Sequence, residues 1–167
     1  MHDIICPLYE IPDYSDLMKQ LASENIVIRS SRPWEREALC TFISERFGQG
    51  WVDETSVGLT RQPVSVIVAL KDNKIIGFAA YEVSARGFFG PTGVDEAFRG
   101  LGVGKALFYE AMTGLKSLGY VYGIIGASGP VNFYLKAMKG MVLPEDWKNV
   151  YTGATGAVAV ECRPKEG

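Results

Sequence analysis

Between Gly93 and Met112 the chain reads GVDEAFRGLGVGKALFYEAM. The second half begins an amphipathic helix, expected from about Val103 to Leu118, with Leu107, Phe108, Ala111, Met112, Leu115 and Leu118 at helical spacing. Glycine is a poor helix former. Yet Gly100, Gly102 and Gly104 alternate where this helix starts, between Arg99 and Lys105. A helix start exposes free backbone N–H groups at the positive end of the helix dipole. Glycines there let an anion such as a phosphate approach the amides closely. Two familiar phosphate loops fail on spacing. A P-loop needs GxxxxGK followed by Ser or Thr, whereas three residues separate Gly100 from Gly104 and Ala106 follows Lys105. A dinucleotide fingerprint needs GxGxxG, and the third glycine position after Gly100 and Gly102 is Lys105. What remains is a strand–loop–helix unit around an anion, and the rest of the chain must supply the sheet.

It does so in order. IICPLYEIP reads as a short strand, and DYSDLMKQLASEN as a helix with Asp13 or Ser15 as N-cap and Leu17, Met18 and Leu21 on one face. IVIRS is a strand. PWEREALCTFISERFG is a helix with Pro33 in its first turn, Leu39, Phe42, Ile43 and Phe47 as its apolar face and Gly48 as its stop. GWVDETSVGLTRQP reads as irregular, with room for one short helix. VSVIVALKDNKIIGFAAYEVS is a hairpin turning at Asp72-Asn73. GFFGPTGVD is a third strand, and the proline in Gly90-Pro91 predicts a bulge or an edge there. After the glycine loop and its helix, YVYGIIGAS is a buried strand. PVNFYLKAMKG is a helix opened by Pro130 and closed by Gly140, and AVAVECR is a last strand. The fold class expected is α/β (α+β): a mixed, mostly antiparallel twisted sheet flanked by helices.

At 167 residues and 47% hydrophobic, the chain is the size of one ordinary domain with a real core. A net charge of −2 with no Lys/Arg run gives no sign of nucleic-acid binding. No stretch reaches the roughly 18 apolar residues of a membrane span. Met1–Pro12 has neither a basic start nor a long apolar core, so no secretory leader is expected. Cys6, Cys40 and Cys162 form no CxxC pair and fit free thiols in a reducing cytoplasm. His2 is the sole histidine, which removes most zinc sites and every Ser-His or Cys-His pair. Chemistry without histidine, and without a metal, is expected.

The segment Arg-Gly-x-Gly-x-Gly-Lys resembles the acyl-CoA pyrophosphate loop of the GNAT superfamily of N-acetyltransferases. That family's (Gln/Arg)-x-x-Gly-x-(Gly/Ala) is matched by Arg99, Gly102 and Gly104. Val94 stands where the family's V-x-x-x-x-R spacing puts it, and NFYLKAMKG is similar to the family's N-x-Y-x-K-x-G helix through Asn132, Tyr134 and Lys136. ARGFFGPTGV with GYVYGIIG further resembles a bacterial branch of the superfamily. The resemblance covers about Ile26 to the C-terminus. It implies one acetyltransferase domain over residues 1–167, with 1–25 as an N-terminal strand–helix extension that could cap the substrate mouth or build the edge of a homodimer.

The resemblance further implies that acetyl-CoA is the cosubstrate and that a small-molecule or peptide amine is acetylated directly. Val94, Arg99, Gly100, Leu101, Gly102, Val103, Gly104, Lys105 and Asn132 would hold the cofactor. The strand over Gly93–Asp95 would splay and receive the pantetheine arm, with the Val94 N–H polarising the thioester carbonyl. Tyr134 would protonate the departing thiolate. A carboxylate acting through water would deprotonate the amine: Glu82 first, with Asp95 and Glu96 as other candidates by position. Plainer readings stand beside these. The glycines could make only a tight turn, Tyr134 could be a core tyrosine, Lys105 a solvated lysine, Asn132 a cap and each acid a surface carboxylate. A non-catalytic acyl-CoA-binding regulatory module on the same fold is the alternative function. KGMV departs from the family's commoner Gly-(Phe/Ala) after the last helix.

Overall fold

A strand, β1 (His2–Pro7), opens the described residues, which run from 2 to 156 in the computed structural model. It is followed by α1 (Ser15–Ser23), β2 (Ile26–Ser30), α2 (Arg36–Phe47), α3 (Gln49–Leu59), and the hairpin β3 (Val66–Lys71) and β4 (Lys74–Tyr81). Then come β5 (Phe88–Val94), α4 (Val103–Ser117), β6 (Tyr122–Ser128), α5 (Val131–Ala137) and β7 (Met141–Val142). The sheet order is β2-β3-β4-β5-β6-β1-β7, antiparallel throughout except for the β5–β6 pair. This is the mixed, mostly antiparallel sheet flanked by helices that the sequence predicts. The AVAVECR strand and Cys162 lie outside the described residues. No helix among the described residues is long and apolar enough to cross a membrane.

Alternation along β3 sorts the core onto two faces. Ile67 and Ala69 face a cluster built on α4, whose Leu107, Phe108, Met112 and Leu115 are fully buried. Val66, Val68 and Leu70 face a second cluster under α2, with Leu39, Phe42 and Ile43. Each large apolar side chain so buried is worth about 1.5–3 kcal/mol. The hairpin turns as expected, with Asp72 and Asn73 both left-handed, at φ 49° and 63°.

Several expectations need correction. The stretch after Gly48 is not irregular: α3 is an eleven-residue helix that buries Gly50, Val52, Thr55 and Gly58. Neither Asp13 nor Ser15 is the N-cap of α1, which is Tyr14. The Asp13 carboxylate accepts instead from the Ser15 N–H at 2.9 Å. The helix after Pro130 ends at Ala137, ahead of Gly140. β1 pairs with β6 along one side, and on the other with the two-residue β7 at Ile4 and Ile5. α1 packs against β2 and α4.

Candidate active site

The site begins with a flaw in β5. Between Tyr81↔Phe89 and Ala79↔Thr92, β4 advances two residues while β5 advances three. The extra residue is a β-bulge at Gly90-Pro91, and bulges re-aim side chains. Gly90 sits at φ 113°, a conformation open to glycine and costly for other residues. The bulge flips the strand's parity. Phe89 faces the α4 side, edge-on to Phe108 and Tyr134. Gly93 faces the α2 side, so close to the Phe47 ring that a Cβ would lie 2.5 Å from it.

Beyond the bulge β5 leaves β6. The two strands pair only at Phe88↔Ile124 and Phe89↔Ile125. The gap opens into a cleft of about 1000 Å³, walled by the ends of β5 and β6 and running to the start of α4. The Asp95 N–H donates to Ile76 O of β4 at 2.8 Å. Successive residues of a strand point their N–H groups to opposite sides, so the Val94 N–H faces the gap. Across it, Ser128 on β6 lines the cleft with a buried hydroxyl that has no partner among the described residues. An unpaired buried hydroxyl costs about 1–3 kcal/mol, which a ligand amide would recover.

The glycine loop closes one end. Gly102 is the N-cap of α4 at φ 92°, and no side chain among the described residues caps the helix. Its amides are left to whatever lies in the cleft. Arg99, Gly100, Gly102, Gly104 and Lys105 all line it. Around Gly100 an added Cβ would meet nothing within 4 Å, and at Gly104 only ordinary contacts. The loop therefore forms a cradle with its amides bare, two cations beside it and the positive end of a fifteen-residue helix behind it. Leu101 and Val103 turn their side chains to the core instead. Arg99 Nε donates to the Val94 carbonyl at 3.3 Å. Arg46 Nε donates to Asp95 Oδ2 at 2.8 Å, tying the end of α2 to the end of β5.

Two walls face each other beside the bulge. On the α4 side, Tyr134 of α5 lines the cleft, packed edge-on against Phe89, Phe108 and Phe133. Burial pushes its phenol pKa upward, so it stays protonated. On the α2 side stand Phe47 and Trp51, stacked at 5.2 Å, and Glu54. Ser84 Oγ donates to Glu54 Oε2, as does the Tyr151 hydroxyl at 3.0 Å. Glu54 is the acid that the sequence reading missed. Its signal was present, one helical turn after Trp51, but the segment read as irregular.

Glu82, the base expected from sequence, is not brought into this cleft. It follows β4 in a left-handed conformation (φ 63°) and is buried at a separate small pocket. There its Oε1 accepts from the Gly87 N–H, with Arg61 and Arg86 at 3.7 and 3.9 Å from Oε2. Asp95 is tied up too. The Ala97 N–H first, and then Arg46, hold its carboxyl below the usual range. Glu96 is exposed and 3.4 Å from Arg99. Asn132 is exposed on α5 and is not part of the cleft wall.

Residues 29–137 match the acetyltransferase (GNAT) family. No curated protein matches the chain in sequence. In fold it superposes on the GCN5-related glucosamine N-acetyltransferase region of a fungal multi-domain GH3 β-N-acetylglucosaminidase. The TM-score is 0.67 at 18% identity, over 85% of this chain and 19% of that one. It superposes on a GCN5-related N-acetyltransferase from Sphaerobacter thermophilus with a TM-score of 0.64 at 20% identity, over 85% of this chain and 49% of that one. The chain thus spans half or less of the length of these two structures, and at such identities they speak to the fold alone.

Proposed function

The chain belongs to the acetyltransferase (GNAT) family, and from that premise we propose that it moves the acetyl group of acetyl-CoA directly to the nitrogen of a primary amine. The observation that carries this reading is the parting of β5 from β6 in line with the bare helix start of α4. A gap with unpaired strand edges suits a thin amide-bearing arm. A glycine cradle at its end suits a pyrophosphate. The unpartnered Ser128 hydroxyl fits an amide of that arm. We take the chain as one acetyltransferase domain, to which residues 1–25 contribute a strand and a helix.

Acetyl-CoA supplies the thioester. The amine nitrogen bonds to its carbonyl carbon, the carbon–sulfur bond breaks, and one proton passes from nitrogen to solvent while another reaches sulfur. The Val94 N–H donates to the carbonyl oxygen as negative charge develops there. Tyr134, kept protonated by burial, donates its hydrogen bond to the departing sulfur and passes it a proton that solvent restores to the phenol in the same turnover. Glu54 takes the proton of the amine, directly or through one water. It stands on the wall opposite Tyr134, so the base serves the nitrogen and the acid the sulfur from two sides. Both described bonds to Glu54 fall on Oε2, which leaves Oε1 to the amine. Arg99, Lys105 and the amides of residues 100–104 hold the phosphates.

Thiol release is the test, run with Glu54→Gln beside Glu82→Gln. Glu54→Gln should lower kcat by about 10²-fold or more. Glu82→Gln should act on stability and leave kcat within a few-fold. The reverse pattern would return the base to Glu82.

A further inference from the structure

The cleft divides its charges. Among the described residues its cationic lining is Arg99, Lys105 and Lys136, on the glycine loop, the start of α4 and the last turn of α5. Its acidic lining, among the described residues, is Glu54 alone. Beside Glu54 the wall is aromatic. Trp51 stacks on Phe47 at 5.2 Å with 21° between the planes and stands edge-on to Phe78 at 6.2 Å. Phe47 is itself pressed onto Gly93 of β5. These rings are fixed before a substrate arrives, so little order is lost in using them. Trp51 and Glu54 are three residues apart on α3 and share one face, with Cβ atoms roughly 5–6 Å apart.

Resting on the acetyltransferase reading above, we propose that the acceptor is a monoamine with a flat apolar body: an arylalkylamine whose ammonium lies on Glu54 Oε1 and whose ring lies on Trp51. The spacing along α3 fits a tether of about two carbons between nitrogen and ring. One carboxylate satisfies one ammonium. A polyamine or an aminoglycoside brings further cations, and among the described residues no second carboxylate lines the cleft to receive them, so each would be desolvated without a partner. An amino sugar brings several hydroxyls to a wall whose aromatic faces offer them no hydrogen-bond partners. Ser84 and Tyr151 hold Oε2 and so fix the direction in which the carboxylate receives the amine.

The test is kcat/KM for phenethylamine, tryptamine, propylamine, spermidine and glucosamine, read as thiol release with acetyl-CoA. The two arylalkylamines should exceed propylamine by about tenfold or more, and the other two should fall below propylamine. In Trp51→Leu the phenethylamine-to-propylamine ratio should drop to within a few-fold of one. Trp51→Phe, which keeps a ring, should hold an intermediate ratio and serves if the leucine variant does not fold. Spermidine or glucosamine as best acceptor, or a ratio unmoved by both Trp51 variants, would overturn this inference and leave acetyl transfer standing. Thiol release with none of the five would overturn both.

Discussion

Gly104→Val separates phosphate binding from folding more cleanly than any other change in the loop. Gly104 is the second residue of α4 and has no left-handed backbone. A Cβ there would sit 3.6 Å from Val94 Cγ2 and 3.9 Å from Phe133 Cζ, both ordinary contacts. Valine is a better helix former than glycine by a few tenths of a kcal/mol, so the melting temperature should hold or rise by about 1 °C. The branched methyls, however, would stand over the amides that face the phosphates. Losing two charge-assisted hydrogen bonds at about 1.5–3 kcal/mol each removes about 3–6 kcal/mol. That is roughly 10²- to 10⁴-fold in Kd. Calorimetric titration with acetyl-CoA, paired with a melting curve, reads both quantities. Gly104→Ala, with a single methyl, should fall between. A folded Gly104→Val protein whose Kd lies within threefold of wild type would refute the cradle. Gly102→Val would not decide the matter. Its left-handed φ and a Cβ only 2.7 Å from Leu17 Cδ1 would strain the loop and press on α1.

Tyr134→Phe keeps all three edge-on ring contacts and loses one hydroxyl. It should hold acetyl-CoA affinity and melting temperature while kcat falls about 10²-fold, or about 2.7 kcal/mol; unchanged kcat would return Tyr134 to the core. Because burial raises the Tyr134 pKa, its ionisation should cause no loss of kcat up to about pH 10, and a fall near pH 9 that vanishes in Tyr134→Phe would contradict this. Acetyl-CoA at about a hundred times Kd should add about 2.7 kcal/mol of stability, or roughly 5–10 °C in melting temperature. Glu35, bonded by Arg29 at 2.5 and 3.0 Å, has its pKa lowered first by that pairing. A depressed carboxyl contributes stability above its unfolded pKa, near 4.3, that is lost as pH falls through the folded value. Melting temperature should therefore drop more steeply below about pH 4.3 in wild type than in Glu35→Gln; parallel curves would contradict this.

The parts of the site that are local in sequence were legible. Alternating glycines before an apolar helix announce a bare helix start, and Gly90-Pro91 inside a strand announces a bulge. What could not be read depends on distant partners. α3 carries Gly50 and Gly58 and, between them, Val52, Asp53, Thr55, Ser56 and Val57, all weak helix formers, so its propensity is poor. Packing makes it a helix: at Gly58 a Cβ would come within 3.0 Å of Val66, Ser65 and Val83. Missing α3 meant missing Glu54. Glu82 looked suitable because it ends a strand near the site. But β5 lies between β4 and the cleft, and the left-handed turn at Glu82 sends its carboxylate to Gly87. The position of β1 between β6 and β7 rests on pairs such as Ile4↔Ile125, over a hundred residues apart, which no local pattern encodes.

Direct acetyl transfer is tested most directly by following an isotopically labelled acetyl group from acetyl-CoA in the presence of phenethylamine and the full panel of amines. The label should move to the amine one-for-one with thiol release, none should remain on the protein, and Tyr134→Phe should slow both products equally. Label bound to the protein, or thiol released with no labelled amine formed, would contradict direct transfer between the two walls of the cleft.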